Sequence, residues 1–371
     1  MMNSRDLIQG LLTRGDFDRV GFFEHYWPET PKIWVEQGFP TRTVVKDGET
    51  VTEPEDPNIV FGADMHSCGG WIKREPILDY EEILAETDEW TIKRTGAGAA
   101  FKFWKHKSGT PEHIDFLMTS RAVWERDYRP HLLRVNPARL DIEGNRATLE
   151  QARAANKWTF YGDVLVWETA RQSLGDVCLY ESLILDPAWI HDFNRTYTDF
   201  FKAHFQLLFD EVGVPDGIWV YEDLGFKDKL FASPRTFGEL IFPYFAEMVE
   251  FVHAKGLPVV LHSCGKTTDA LPLIVEAGFD ALNPMEVKAG NDLFAFAEQY
   301  GDRLAFVGGL DVRYLETNDR EIIRREVTRV VEGMKARGAR YVFGTDHSVT
   351  PLVTYDSYRY ALDVYREHMA Y

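Results

Sequence analysis

Hydrophobic and polar positions follow a repeating pattern from residue 187 to the end of the chain. Segments with apolar residues at helical spacing alternate with short runs that are apolar at nearly every position. The helical segments cover residues 187–212, 233–255, 268–277, 293–300 and 319–337, and the short runs cover 217–223, 258–264, 281–286, 304–311 and 341–347. This alternation predicts five helix–strand units in succession.

Local signals mark where these helices begin and end. Ser233 before a proline and Asp319 ahead of an acidic turn are typical N-caps, and Gly256, Gly278 and Gly338 follow the last apolar turns. Strands that are apolar throughout favour a parallel sheet covered by helices. Five such strands with polar carboxyl ends fit the later part of a (β/α)8 TIM barrel. An open doubly wound sheet would show a glycine-rich phosphate turn after its first strand, and the sequence has none there.

The first half of the chain is less regular. Residues 58–64 are predicted to form the first barrel strand, residues 91–106 a hairpin that turns at Gly96 and Gly98, and residues 113–120 a strand that pairs with it. We therefore expect an irregular N-terminal extension over residues 1–57. A barrel over residues 58–371 follows, with an antiparallel insert over one mouth. The aromatic segment 22–40 either packs the extension onto the barrel or forms one wall of a pocket for a flat apolar substrate.

Composition narrows the classes of function. The 371 residues are 45% hydrophobic, enough for a large core, and carry a formal net charge of −18. Without a basic patch, such a surface repels nucleic acid and anionic membranes. No stretch is apolar enough to span a bilayer, and the N-terminus does not resemble a signal peptide. Three cysteines are too few for a disulfide framework, so a cytoplasmic enzyme is expected.

Side chains suited to metal or acid–base chemistry follow the predicted strands. The carboxyl ends of barrel strands share one face, where active sites form. The residues at these ends are Asp64, Glu222, Asp223, His262, Cys264, Asn283, Met285, Glu286, Asp311, Asp346 and His347. Most are acids and imidazoles, whereas unselected loop ends would contain more Lys, Ser and Thr. This predicts one site at one mouth.

His262 and Cys264 are the most specific pair. Positions i and i+2 of a strand point to the same side, so a nitrogen and a sulfur face one point, and zinc binds both. A third ligand would come from His347 or Glu222. The competing interpretation is that His262 caps the next helix while Cys264 is a small buried hydrophobe.

Glu222 and Asp223 are adjacent, so only one is expected to face the mouth. Glu222 is favoured as a ligand or general base, and Asp223 as a residue that contacts the ligands or the substrate. His66 and Cys68 repeat the His-x-Cys spacing in a glycine-rich loop, where a structural or substrate-facing role is expected instead of a metal site.

The stretch HSCGKTTDALPLIVEAGFDALNPME, followed by FVGGLD, resembles the uroporphyrinogen decarboxylase superfamily. The resemblance covers residues 187–371 strongly and the earlier part loosely. It implies a (β/α)8 barrel and one of two activities. One branch decarboxylates uroporphyrinogen without a metal. The other contains zinc methyltransferases that act with corrinoid proteins, methylated substrates and thiols or folates.

The resemblance also distinguishes the branches. Methyltransferases of this superfamily carry His-x-Cys as zinc ligands on the strand that holds His262 and Cys264 here. Decarboxylases bind the substrate's carboxylates with an arginine-rich N-terminal motif, but the corresponding stretch HYWPETPKIW has no arginine. At the start of the last strand–helix loop, His347 falls where coenzyme M methyltransferases have a cysteine and decarboxylases have a histidine. An imidazole in place of a thiolate at this position would leave a bound zinc ion less electron-rich. Such an ion would be suited to activating a substrate oxygen or sulfur.

These implications predict a zinc-dependent methyltransferase. It would move a methyl group from a small, methoxy-aromatic donor to a corrinoid on a partner protein or a related acceptor. Asp64, Glu286 or Asp311 would orient the leaving group or its proton. Two alternatives remain: a metal-free lyase acting on a carboxylic acid, with Asp64 and His347 as its acids, and a barrel that only binds a tetrapyrrole or corrinoid.

Overall fold

The computed structural model describes residues 2–46, 48–106 and 109–371. Its strands, in chain order, are β1 (Gly21–Phe22), β2 (Thr41–Lys46), β3 (Glu49–Pro54), β4 (Met65–Ser67), β5 (Glu81–Glu86), β6 (Trp90–Thr95), β7 (Ala99–Trp104), β8 (Glu112–Phe116), β9 (Trp158–Asp163), β10 (Gly217–Tyr221), β11 (Gly225–Phe226), β12 (Lys229–Leu230), β13 (Val259–His262), β14 (Ala281–Asn283), β15 (Ala305–Val307) and β16 (Tyr341–Phe343).

The helices are α1 (Ser4–Thr13), α2 (Glu29–Glu36), α3 (Pro57–Phe61), α4 (Arg121–Val123), α5 (Ile142–Ala154), α6 (Val166–Leu174), α7 (Asp176–Leu185), α8 (Pro187–Glu211), α9 (Pro234–Leu240), α10 (Phe242–His253), α11 (Leu271–Glu276), α12 (Leu293–Tyr300), α13 (Val312–Glu316), α14 (Arg320–Ala336) and α15 (Tyr355–His368). Short π or 3-10 turns lie at Trp124–Tyr128, Arg129–Leu132, Pro137–Arg139, Thr268–Ala270 and Val287–Ala289. Within the described residues, no helix is both long and apolar enough to cross a membrane.

Eight parallel strands form a nearly closed barrel, which confirms the predicted (β/α)8 fold. Around the barrel the order is β1, β4, β9, β10, β13, β14, β15 and β16, so each strand lies beside the next in the chain, and β16 pairs with β1. A hydrogen bond of 2.8 Å from the Asp64 amide to the Phe22 carbonyl joins the two ends of the sheet. The rings of Phe23, Phe160 and Trp219 pack in the interior, with centroids 5.1–5.6 Å apart.

The predicted elements of the second half are present. Ser233 and Asp319 cap α9 and α14 with their side chains, and Gly256, Gly278 and Gly338 have positive φ after their helices. The segment 233–255, however, is two helices, with Pro243 in the first turn of α10. Proline lacks the N–H that a continuous helix requires, so the helix is interrupted there.

The first half differs from prediction at one important point. Residues 58–64 were predicted to form the first barrel strand, but Asp56 and Pro57 begin helix α3, which Gly62 ends with a positive φ. The first strand is instead β1, inside the segment predicted as an extension, and the second is β4. The sequence 21–67 therefore contributes two strands to the barrel.

The antiparallel insert lies between β4 and β9. Strands β6 and β7 form the predicted hairpin and β8 pairs with β7, as expected, while β5 adds a fourth strand on the other edge. Side chains of β7 and β8 line a cavity together with Cys264 and Glu286. The insert therefore lies over the carboxyl mouth of the barrel, as predicted.

Candidate metal centre at the barrel mouth

The strand register brings three polar side chains into one row at the carboxyl mouth. His262 is paired with Tyr221 on one neighbouring strand and with Asn283 on the other. Residues in register on parallel strands face the same side of the sheet, so these three side chains share the barrel interior. His262 ends β13, and Cys264 lies two residues further on.

His262, Cys264 and Asp223 form one compact group. The Nε2 atom of His262 lies 3.4 Å from the Sγ atom of Cys264 and 3.9 Å from a carboxylate oxygen of Asp223. Among the described residues, they are the one group of three His, Cys, Asp or Glu side chains whose potential ligand atoms all lie within 4.8 Å of one another. The predicted His-x-Cys pair is thus joined by an acid at the mouth.

Two glycines hold the loops that carry these residues together. A Cβ atom on Gly225 would lie 2.6 Å from the backbone nitrogen of Lys266, and one on Gly265 would lie 2.3 Å from the backbone of Gly225. Gly265 also has φ of 72°. The loop after β10 therefore packs directly on the loop after β13. The Cys264 amide donates to the Asp223 carboxylate at 2.8 Å across this contact.

Asn283 sets the orientation of the His262 ring. Its Nδ2 atom donates to the Val307 carbonyl at 2.9 Å, so its Oδ1 atom is left as the acceptor for His262 Nδ1 at 2.6 Å. The proton of a neutral imidazole therefore lies on Nδ1. The lone pair of Nε2 faces Cys264 and Asp223, as in metal-binding histidines that are held by a hydrogen bond on the other nitrogen.

Burial controls the charge of these groups. It lowers the pKa of His262 and, with repulsion from Asp223 and Glu286, raises the pKa of the Cys264 thiol well above its usual range. The ring of His25 lies 6.1 Å from that of His262, and burial lowers the pKa of His25 to about 3. Burial therefore favours the neutral form of the His25 and His262 rings, and a bound cation would favour the thiolate form of Cys264.

Glu222 does not join this group. Its carboxylate points out of the barrel wall and accepts hydrogen bonds from the amides of Leu165, Trp167 and Glu168, the last two at 3.0 Å. These amides belong to the first turn of α6, whose positive end an acid stabilises. The sequence favoured Glu222 over Asp223 as a metal ligand or general base, and this geometry corrects that prediction. Asp223 faces the mouth, whereas Glu222 binds the amino end of a helix.

Asp64 lies at the other end of the barrel. It precedes β4, so it is at the amino end of a strand and not at the carboxyl end where it was expected. Its carboxylate pairs with Arg19 at 2.6 Å and accepts from Ser4 and from the Phe22 amide. This arrangement ties the N-terminal segment to the barrel base, away from the metal group.

The remaining predicted residues surround the mouth without joining the group. His347 stacks on Trp27, with ring centroids 5.9 Å apart, and is near enough to contribute to the low pKa of His262, after burial. Glu286 accepts from the Gly265 amide at 2.7 Å and borders the cavity beside Cys264. Asp311 is buried, caps α13 and pairs with Arg313 at 2.6 Å.

The second His-x-Cys does not form a metal group with the first. His66 lies within β4, and the Cys68 side chain is fully buried, which raises its pKa to about 12. Cys68 packs in the core, as a structural role predicts.

The fold and the site together define a (β/α)8 barrel with a cluster of His, Cys and Asp side chains at its carboxyl mouth. The family model for uroporphyrinogen decarboxylase (URO-D) matches residues 179–368, just over half of the chain. The chain belongs to the uroporphyrinogen decarboxylase family.

One solved structure supports the same fold over the whole chain. A methyltransferase from Methanosarcina mazei is similar with a TM-score of 0.65 and 13% identity, covering 99% of each chain. A glycosylated endo-β-1,4-xylanase of glycoside hydrolase family 10 from Gloeophyllum trabeum has a TM-score of 0.40 and 10% identity, covering 64% of this chain and 82% of that one. A search of curated protein sequences found no match.

Proposed function

We propose that this protein is a zinc-dependent methyltransferase that moves a methyl group from a small methylated compound to a nucleophilic acceptor, such as the corrinoid of a partner protein. The observation that carries the proposal is the His262–Cys264–Asp223 group at the mouth. For two ligands of a tetrahedral zinc ion, bond lengths of about 2.1 and 2.3 Å give a nitrogen–sulfur separation of about 3.6 Å. The 3.4 Å between His262 Nε2 and Cys264 Sγ is close to this value.

In the proposed site, His262, Cys264 and Asp223 would hold the ion beside the cavity. Zinc would supply a Lewis acid that polarises a bound group. Asn283 keeps Nε2 of His262 directed at the site, and the glycine contact between the two loops keeps Asp223 beside Cys264. Strands β7 and β8 of the insert line the cavity beside these residues.

The charges around the mouth support a methyltransferase over a carboxy-lyase. The cavity beside Cys264 is bordered by four carboxylates, those of Glu75, Glu168, Asp223 and Glu286, and by only two cationic side chains, those of Arg171 and Lys227. A substrate carboxylate placed there would be repelled, whereas decarboxylation of a polyacid calls for cationic partners. The methoxy-aromatic donor suggested by the sequence rests on family resemblance alone.

Metal analysis of the purified protein tests the proposal. We expect about one zinc per chain by mass spectrometry in protein prepared without chelator, as a single catalytic site requires. Cys264→Ser and His262→Ala should each lose most of the zinc and the methyl transfer, with an unchanged circular dichroism spectrum. Cys68→Ser is the matched control and should keep both. Wild-type protein that binds no zinc even when zinc is supplied would overturn the proposal.

A further inference from the structure

A second cavity, of about 530 Å³, lies at the carboxyl mouth of the barrel. Residues 23–28, which follow β1, form one of its walls, and Met65–Ser67 of β4, Phe160 of β9 and Tyr221 of β10 border it from the barrel. It shares no bordering residue with the cavity beside Cys264. The aromatic segment 22–40 thus supplies part of a cavity wall, which is one of the two roles expected for it.

Three polar side chains of this second cavity have no partner in the protein. Those of His25, His66 and Tyr221 border the cavity, are partly exposed, and form no hydrogen bond within the part of the chain that the structure describes. The hydroxyls of Tyr26 and Thr148, in contrast, already have partners, at 3.0 and 2.9 Å. Polar groups in a partly enclosed site are normally paired, so these three side chains can receive the polar atoms of a ligand.

The surroundings of His25 explain why it lacks a partner. Its ring centroid lies 5.0 Å from that of Phe23, 5.5 Å from that of Trp219 and 6.3 Å from that of Tyr221. Neighbouring rings pack against the imidazole without pairing its nitrogens, so it keeps a donor and an acceptor for a ligand. The His25 ring is also 6.1 Å from that of His262, so such a ligand would lie within one ring of the metal group.

The second cavity carries little charge. No Lys or Arg among the described residues borders it, and its two carboxylates already accept backbone amides. Glu24 accepts from His25 and Thr345, both at 2.9 Å, and Asp56 accepts from Asn58 at 2.8 Å. Burial raises the pKa of Glu24 to about 8, which favours its neutral form at pH 7. An anionic ligand would therefore find no cationic partner here.

We propose that this second cavity binds a small uncharged ring compound that carries a hydroxyl group. A hydroxyl both donates and accepts a hydrogen bond, as do a neutral imidazole and a phenol, so His25 and Tyr221 can each pair with it. Phe23, Trp27 and Phe160 give the rest of the wall an aromatic character that suits a ring.

This site goes beyond the proposed function. None of His262, Cys264 and Asp223 borders the second cavity, so binding there does not require zinc. The experiment can therefore use protein from which metal has been removed with a chelator, and a hydroxylated ligand cannot then bind through the metal.

A matched pair of ligands tests the requirement for a hydroxyl. Phenol and fluorobenzene are rings of nearly the same size, but only phenol carries a hydroxyl, and it is uncharged at pH 7. Titration of the zinc-free protein followed by NMR should show at least about fivefold tighter binding of phenol, as expected for one net hydrogen bond. Benzoate and benzylammonium should bind more weakly than phenol. No binding of phenol, equal binding of fluorobenzene, or tighter binding of either ion would overturn the proposal.

Two variants locate the binding site. Tyr221→Phe removes only a hydroxyl, and His25→Phe removes both nitrogens and keeps a ring. Each should weaken phenol binding about three- to tenfold and change fluorobenzene binding less than about twofold. Tyr360→Phe is the matched control and should bind phenol like wild type, because the Tyr360 hydroxyl accepts from Arg324 at 2.8 Å and does not border this cavity.

The variants can also contradict the proposal. Wild-type phenol binding by both Tyr221→Phe and His25→Phe, or equal losses of phenol and fluorobenzene, would show that these side chains do not hold a hydroxyl. If His25→Phe does not fold, as judged by circular dichroism, Tyr221→Phe decides, since it deletes one partly exposed oxygen.

The second cavity and the metal centre can fail separately. Phenol binding by a protein that takes up no zinc would support the second cavity and overturn the proposed function. Zinc uptake and methyl transfer without phenol binding would overturn the second cavity and leave the proposed function standing.

Discussion

Glu222 and Asp223 are neighbours in the chain, yet their carboxylates lie on opposite sides of the barrel wall. Glu222 accepts three backbone amides at the start of α6, while Asp223 accepts the amide of Cys264 at 2.8 Å inside the mouth. Successive strand residues alternate in this way, and the register of Tyr221 with His262 decides which residue faces inward. One acid of this pair therefore supports the fold and the other faces the proposed chemistry.

Exchanging each acid for its amide should separate these roles. Glu222→Gln leaves one helix amide without an acceptor and should lower the free energy of unfolding by roughly 1–3 kcal/mol, while zinc content stays near wild type. Asp223→Asn should change stability little, because its side chain is 40% exposed, and should weaken zinc binding at least about tenfold. Urea denaturation and a chelator competition assay measure the two effects. Loss of zinc from Glu222→Gln alone would show that the assignment is reversed.

Removing the hydrogen bond that holds His262 should weaken the metal centre without emptying it. Asn283→Ala frees the ring to rotate, and we expect zinc affinity to fall about 10- to 100-fold. Asn283→Asp keeps an acceptor at Nδ1 and should retain most of the affinity, although it loses the bond to Val307. Competition with a zinc-sensitive dye compares the two variants, and equal affinities would argue against an orienting role.

Asp64 should matter for stability and not for chemistry. It is 3% exposed and Arg19 is 12% exposed, so Asp64→Asn leaves a buried guanidinium short of its partner. The expected loss in unfolding free energy is roughly 3–5 kcal/mol. Activity per folded molecule should be unchanged, and a double variant with Arg19→Met should recover part of the stability. If folded Asp64→Asn protein lost turnover, Asp64 would have a catalytic role after all.

The decrease in the free energy of unfolding at low pH should depend in part on Glu247. Hydrogen bonds from Arg195 and Lys202 lower its pKa to about 2, with Arg195 the larger cause. The unfolded state takes up this proton at higher pH, so the pair stabilises the fold above about pH 4.5 and the contribution is lost as pH falls toward 2. Glu247→Gln should cost roughly 1–2 kcal/mol at pH 7, since Arg195 is largely exposed, and much less at pH 3. Urea midpoints measured against pH test this, with Glu298→Gln as an exposed control.

The sequence predicts the second half of the fold well because its signals are local. The helices there are separately bounded, as at Ser233 and Gly256, and each strand lies between two of them. In the first half, β1 and β4 are separated by the β2–β3 hairpin and two short helices, so no long amphipathic helix marks where these strands lie. The segment Pro57–Phe61 is helix α3 because Asp56, Pro57 and Gly62 bound it as caps, and capping outweighs its β-branched residues.

The candidate site was half predictable for a similar reason. His262 and Cys264 are two positions apart, so local strand geometry alone places them on one side. The choice between Glu222 and Asp223 depends on register with a neighbouring strand, which the sequence does not contain. The role of Asn283 depends on pairing with β13, which the sequence does not contain either, and the cavity beside Cys264 is lined by residues of the insert and of a loop far away in the chain.

The pairing of β1 with β16 has a consequence for the order of folding. The barrel cannot close until the last strand has been synthesised, since its first strand waits for a partner from residues 341–343. The strands that precede Asp223 and Cys264, β10 and β13, are consecutive strands of the barrel joined by residues 222–258, so they pair through a much shorter chain closure than β1 and β16 do. A nascent chain can therefore assemble the ligand group while the barrel is still open. Zinc taken up at that stage would stabilise a partly folded state, and refolding should be faster with zinc present than with a chelator.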